Sequence, residues 1–149
     1  MALLFANNNS LSAITTKPSG LSGGAMNLIS TQTASSSSTI SFTSGIDSTY
    51  DEYVFKFYDI HPATKDASFG FNMSIDSGSN YNVTKTTTVF RAYQDEGGAG
   101  VTSLGYNGSR DLAQSTADQL IMPTVGNLND ECGAGTLHLF NPSSTTFVK

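Results

Sequence analysis

Charge is scarce in this sequence. Asp, Glu, Lys and Arg make up 13% of its 149 residues, about half of the ~25% usual in soluble domains. Twelve acidic residues against seven basic give a formal charge of −5. Binding nucleic acid by neutralising phosphates needs a basic face, and seven scattered cations do not make one, so no nucleic-acid partner is expected. A single cysteine excludes an internal disulfide framework and any multi-cysteine metal site. Two histidines leave little for a catalytic or metal cluster. No apolar run approaches the ~20 residues that cross a bilayer, so no membrane insertion is expected. What the chain has instead is Ser, Thr and Asn, 50 of 149 residues, so hydroxyls and amides keep its surface wet. The length suits one domain.

The N-terminus, Met1 to Phe5, is apolar, but three asparagines follow at once and no basic residue precedes it. A secretory signal needs a positive start and an apolar core of ~7–15 residues, which is not what stands here. Residues 1–26 are rich in Asn, Ser, Thr and Gly, with Lys17-Pro18-Ser19-Gly20 and Gly23-Gly24 as breakers. Leu3, Leu4, Phe5, Leu11, Ile14 and Leu21 are spread through it without a period of 3.6 or 2.0. Such a segment cannot build a core, yet carries too many apolar residues for a plain flexible linker. That combination predicts an extended N-terminal docking arm over 1–26, ordered on a neighbouring subunit, with Leu3, Leu4, Phe5, Leu11 and Ile14 as its contacts.

Residues 27–149 read as an all-β domain. Strands are predicted at Met26–Thr31, Thr39–Thr43, Tyr53–Ile60, Ser68–Asp76, Tyr81–Tyr93 and Gly135–Phe140, with another beginning at Thr145. Tyr53–Ile60 is apolar on both faces, which predicts a strand at the centre of a sandwich. In Ser68–Asp76, Phe69, Phe71, Met73 and Ile75 alternate with small polar residues. The expected core is Tyr53, Phe55, Phe57, Phe69, Phe71, Met73 and Ile75. Strand signals are weak around Leu104, Tyr106 and Leu112. Ala113–Leu120 has mild helical propensity, and Met122-Pro123 reads as a turn. Many short strands, frequent turn signals and little helix imply a β-sandwich or barrel.

No catalytic constellation emerges, and the chain is expected to be no enzyme and to hold no cofactor. Asp59, His61 and Asp66 are close enough in sequence to suggest a metal site, but a turn histidine before Pro62 with solvated aspartates is the better reading, so no metal is expected. His138, between two leucines, reads as a satisfied, partly buried histidine. Cys132 is flanked by acids, which raise rather than lower a thiol pKa, so it reads as a small, partly buried residue beside a turn. No serine lies in a Gly-x-Ser-x-Gly elbow. Gly97-Gly98-Ala99-Gly100 lacks the Lys-Ser/Thr of a phosphate loop. Asp51-Glu52 and Asp95-Glu96 are adjacent pairs whose side chains diverge on a strand. Calcium at Asp95 and Glu96 with loop carbonyls stays open as an alternative. Asn-x-Ser/Thr triplets at Asn72, Asn82 and Asn107 matter only in a secretory compartment. Tyr93 and Tyr106 are aromatics that either touch sugar or pack.

The stretch from Phe42 to Phe55, followed by Ile60-His61-Pro62-Ala63-Thr64, resembles structural proteins of tailed bacteriophages, particularly marine and cyanobacterial ones. There, a strand ending in a Ser/Asn-Ile-His-Pro turn leads to a strand of alternating aromatics, as Phe69 and Phe71 do here, with Asp59 in place of the Ser or Asn. Thr136–Ser144 and Phe147-Val148 fit the same pattern, and Asn7–Thr15 resembles the N-terminal segments of phage fibre and fibre-like proteins. The resemblance implies a virion protein, assembled in the host cytoplasm, with a jelly-roll-like antiparallel β-sandwich and no catalysis. Family members usually run on to further strands, so the resemblance leaves two alternatives: a short version of the sandwich over 27–149, or part of a longer chain, with Thr145–Lys149 at an edge that a partner covers.

Two functions fit that resemblance. One is a tail fibre or tail-associated protein, a homotrimer docked on the tail through residues 1–26, whose β-domain contributes to host attachment by touching a host-surface glycan. The alternative is a capsid decoration protein, a head knob or cement whose arm clamps neighbouring shell subunits. Either way the partners are other virion proteins of tail or capsid.

Overall fold

The computed structural model describes residues 26–94 and 102–145. The chain divides into two units, Met1–Gln32 and Thr33–Lys149. In the first, the described residues 26–32 form neither helix nor strand. In the second, the regular structure is all strand: β1 (Glu52–Ile60), β2 (Ala67–Phe71), β3 (Phe90–Gln94), β4 (Thr102–Tyr106), β5 (Gln119–Val125) and β6 (Gly133–Phe140). There is no helix among the described residues. The strands pair as three two-stranded antiparallel sheets, β1 with β6, β2 with β5 and β3 with β4. The pairs are nested, the outermost strands in sequence joining first to last and the innermost forming a hairpin.

The density of aromatic and β-branched residues in β1 suits a pleated strand. Register with β6 sets Tyr53 opposite Leu139, Phe55 opposite Leu137 and Phe57 opposite Gly135, so these residues share one face. Gly135 is needed there, because a Cβ would stand 2.6 Å from the Phe57 ring. The Phe57 ring in turn meets Phe69 of β2 edge-on, centroids 5.2 Å apart, and Phe55 meets Phe42 at 5.7 Å. Tyr53, 4% exposed, is the one buried apolar residue among those described. Its hydroxyl donates to the Asp47 carbonyl at 3.0 Å and accepts from the Asp47 N–H at 3.0 Å, which ties the preceding turn to the sheet.

Three bulges shape the ladders, one in β1 and two in β5, where Ile121 is surplus between Leu120 and Met122. Between Phe57 and Ile60 β1 holds one residue more than β6, and Asp59 there has φ 53°. Left-handed backbone at a bulge accommodates the extra residue. The other surplus residue of β5 falls between Met122 and Val125, where Thr124 has φ 58°. Pro123 is tolerated inside β5 because a bulge releases the ladder bond that proline cannot donate. At Gly70 of β2 a Cβ would lie 2.6 Å from the backbone oxygen of Gln119. Backbone cannot step aside, so Gly70→Ala is expected to lower stability by about 1–3 kcal/mol. Chemical denaturation of the variant checks this; an unchanged midpoint contradicts the close approach.

Several sequence expectations are corrected. Met26–Thr31 and Thr39–Thr43 are not strands, and neither forms a ladder with a described strand. The strand expected to Asp76 ends at Phe71, because the Asn72 side-chain oxygen captures the Met73 N–H at 2.8 Å and turns the chain. Ile75 is consequently 89% exposed rather than core, while Phe55, Phe57, Phe69, Phe71 and Met73 are half-buried. Of Tyr81–Tyr93 only the end is strand. The preceding threonines bond through hydroxyls, Thr86 accepting from Gln114 N–H at 3.2 Å and Thr87 from Leu112 N–H at 2.9 Å. The backbone pairs there sparsely, through the bridge between Lys85 and Ser115 and the Thr87 N–H to Leu112 carbonyl bond at 2.9 Å. Ala113–Leu120 forms no helix, and Met122-Pro123 lies within a strand. Among the described residues β1 is not central: it pairs with β6 alone there, and Tyr58 is 71% exposed. The strand expected to begin at Thr145 falls mostly on residues 146–149, outside those described.

Candidate functional site

The β3–β4 hairpin has two unlike faces. Arg91 pairs with Gly105 and Tyr93 with Ser103, so these four share one side. The Arg91 guanidinium lies over the Tyr93 ring, 4.1 Å from its centroid, a cation–π contact that holds its planar fork in place. Beyond Tyr106 the chain turns back: Arg110 N–H donates to the Asn107 carbonyl at 3.1 Å, and the Ser109 hydroxyl to the Asn107 side chain at 2.8 Å. Strand and turn border an open, shallow cleft of about 550 Å³ lined by Arg91, Ser103, Tyr106, Asn107, Ser109 and Arg110, among others. A Cβ on Gly105 would meet nothing within 4 Å, so that glycine keeps the floor open. Both arginines of the chain thus line one cleft. Neither is in an ion pair with a described residue. Two guanidiniums with hydroxyl and amide neighbours suit a ligand that carries a carboxylate and hydroxyls.

The opposite face is apolar. Phe90 pairs with Tyr106 and Ala92 with Leu104. Phe90, Leu104 and Tyr106 are 73%, 82% and 56% exposed. Tyr106 packs edge-on against Phe90 and donates its hydroxyl to Asp111, which holds the phenol pKa above its ordinary value. So of the two candidate sugar-contacting tyrosines, Tyr106 lines the cleft while also packing on Phe90, and Tyr93 backs Arg91.

A second polar cluster lies beneath the threonine-rich segment. Lys85 is only 5% exposed, and its Nζ donates to Asn72 Oδ1 at 2.5 Å and to the Val83 carbonyl at 2.9 Å. Asn72 Nδ2 donates to Asp118 Oδ1 at 2.8 Å and to the Thr116 carbonyl at 3.0 Å. Burial lowers the lysine's pKa, opposed by the Asp118 charge. Beside it Gln119, 6% exposed, bonds the Thr87 hydroxyl and the Leu120 carbonyl.

The other candidates from the sequence do not converge. His61 Nε2 lies 2.9 Å from the Leu128 carbonyl, and among the described residues no group of three or more His, Cys, Asp or Glu is placed to hold a metal. His138 is satisfied, its Nδ1 2.6 Å from Glu52 Oε1, but is exposed rather than partly buried because its side of β6 faces solvent. Cys132 is likewise exposed, in the turn before β6, rather than partly buried. The docking residues Leu3, Leu4, Phe5, Leu11 and Ile14 lie outside the described residues, as do Asp95 and Glu96. The arginine cleft and the lysine cluster were both missed. Their signals were faint: the only two arginines of the chain, and one lysine inside a β-branched run.

The loop after β2 carries a shifted acid. Asp76 accepts from the Ser74 hydroxyl at 2.6 Å and from Asn80 through backbone N–H at 2.8 Å and side chain at 2.6 Å. These donors pull its pKa from the ordinary 3.8 to about 2. The folded state therefore binds this proton more weakly than the unfolded state. The loop's contribution is full above the ordinary value and is lost as pH falls through about 2. Titration of the Asp76 carboxyl by NMR, with the Asn80 amide as reporter, should show that low midpoint; one near the ordinary value would contradict it.

The fold defines the class: an all-β protein of small antiparallel sheets. The chain matches no protein-family model, no curated protein and no solved structure.

Proposed function

We propose that this is a non-enzymatic structural protein that works by assembling with other chains. The observation that carries the reading is the exposed apolar face of the β3–β4 hairpin, Phe90, Leu104 and Tyr106, on a unit that buries a single apolar residue among those described. Apolar strand surface left open in one chain is covered when copies associate. Within that class, the resemblance of the Phe42–Phe55 and Asn7–Thr15 segments selects a tailed-bacteriophage virion protein, a tail fibre or tail-associated chain. The nested strand pairing supports a jelly-roll-like sandwich, since that fold is a long hairpin rolled up.

In this reading the chain is a homotrimer whose residues 1–26 dock on the tail. The hairpin's apolar face packs against a second copy, and the arginine cleft of each copy meets host-surface glycan. Weak contacts repeated in several copies give useful avidity. Deleting residues 1–20 is expected to leave the β-domain folded by circular dichroism while abolishing its incorporation into particles. Normal incorporation of the shortened chain would contradict docking through the arm.

A further inference from the structure

Lys85 is the one buried cation among the described residues, and no carboxylate pairs with it directly. Lysine is almost never buried without such a partner. Its amine instead touches the side-chain amide of Asn72, whose nitrogen donates in turn to an acid, Asp118. We propose that Lys85 and Asn72 form an intramolecular isopeptide bond, with Asp118 shuttling the proton. The inference does not depend on the phage reading.

The groups are arranged for acyl transfer. Asn72 Oδ1 receives two donors, Lys85 Nζ at 2.5 Å and the Met73 N–H at 2.8 Å. Both polarise the amide carbonyl, and the Met73 N–H remains on the oxygen as negative charge develops there. The nucleophile must be a neutral amine, and burial of Lys85 favours that form. Its ammonium proton reaches the exposed Asp118 carboxylate, more than 4 Å away, through solvent. The Nζ lone pair then attacks Asn72 Cγ, and a small rotation about the lysine side chain takes Nζ from Oδ1 to that carbon. Asp118 Oδ1, already 2.8 Å from Asn72 Nδ2, protonates the leaving nitrogen. The Cγ–Nδ2 bond breaks, the Nζ–Cγ bond forms, and ammonia departs carrying the remaining proton as ammonium. No oxidant or co-reactant is needed.

The backbone keeps the groups in register. Lys85 exchanges two hydrogen bonds with Ser115, at 2.8 and 2.9 Å, which anchors it beside the Thr116–Asp118 turn, and Val83 N–H donates to the Met73 carbonyl at 3.4 Å. The product is a covalent tie between residues 13 apart in sequence, in a unit with few buried apolar side chains and a lone cysteine. Small cores commonly need such a staple.

Mass spectrometry of the full chain reads the bond directly. The intact protein should be lighter than its sequence by one ammonia, and proteolysis should give a branched peptide joining the segments around Asn72 and Lys85. Lys85→Arg, which keeps the charge, should restore the full mass and abolish the branched peptide. Asp118→Asn should slow bond formation about a hundredfold or more. The branched peptide in the unmodified protein decides the matter even where a variant fails to fold. A chain at full sequence mass after prolonged incubation overturns the proposal. So does an ammonia loss that survives Lys85→Arg, which marks succinimide formation at Asn72.

Discussion

Replacing Tyr53 with alanine is expected to unfold the β-domain at ordinary temperature. Its ring is the single buried apolar side chain among the described residues, and it meets Tyr50 edge-on at 5.8 Å. Truncating a buried aromatic costs about 3–5 kcal/mol, against the ~5–15 kcal/mol that holds a typical domain together. A unit with so little burial sits toward the low end of that range. The hydroxyl adds a separate contribution. It bonds both the N–H and the carbonyl of Asp47, and with Thr49 it helps hold the Asp47 carboxyl pKa below the ordinary value. Tyr53→Phe keeps the ring and loses those bonds, so a milder cost of about 1–2 kcal/mol is expected. Thermal unfolding followed by circular dichroism separates the two. A Tyr53→Ala chain that melts like the parent would show that the β1–β6 face does not anchor the fold.

Removing both arginines of the hairpin cleft is expected to abolish binding of carboxylated glycan while leaving the fold intact. Arg91 is exposed and Arg110 half-buried, so neither supports the core. A charge-assisted hydrogen bond is worth about 1.5–3 kcal/mol, so each arginine should account for about ten- to a hundredfold in affinity. The double variant Arg91→Ala, Arg110→Ala should lose uronate- and sialate-containing oligosaccharides in an array and retain the parent's melting temperature. Since the attraction is ionic, parent binding should also weaken with added salt. Salt-independent binding of neutral sugars, unchanged in the double variant, would contradict the assignment of the cleft.

How much of this was legible beforehand depended on whether the signal was local. β1 and β6 announced themselves through dense aromatics and alternation around Tyr53, Phe55, Leu137 and Leu139, and a strand needs little else to be recognised. β4 was obscured by Gly105, whose missing side chain opens the cleft but weakens the strand pattern. Pro123 read as a turn because a bulge, which depends on the partner strand, is invisible in one segment. Tyr81–Thr88 looked like a strand because threonine favours sheets in general. Here the hydroxyls of Thr86 and Thr87 bond backbone 28 and 25 residues away, and the Thr87 N–H joins Leu112 without a continuous ladder. The lysine cluster was illegible for the same reason: Asn72 lies 13 residues from Lys85 and 46 from Asp118. Only the folded chain brings them together.

The most direct test of the structural-protein reading is the position and copy number of this chain in an intact particle, seen by cryo-electron microscopy. A few trimers on the tail, with residues 1–26 against the tail and the β-domains outward, is the expected result. Hundreds of copies on the head lattice would contradict the tail assignment and make the chain a decoration protein, and absence from the particle would contradict a virion role altogether.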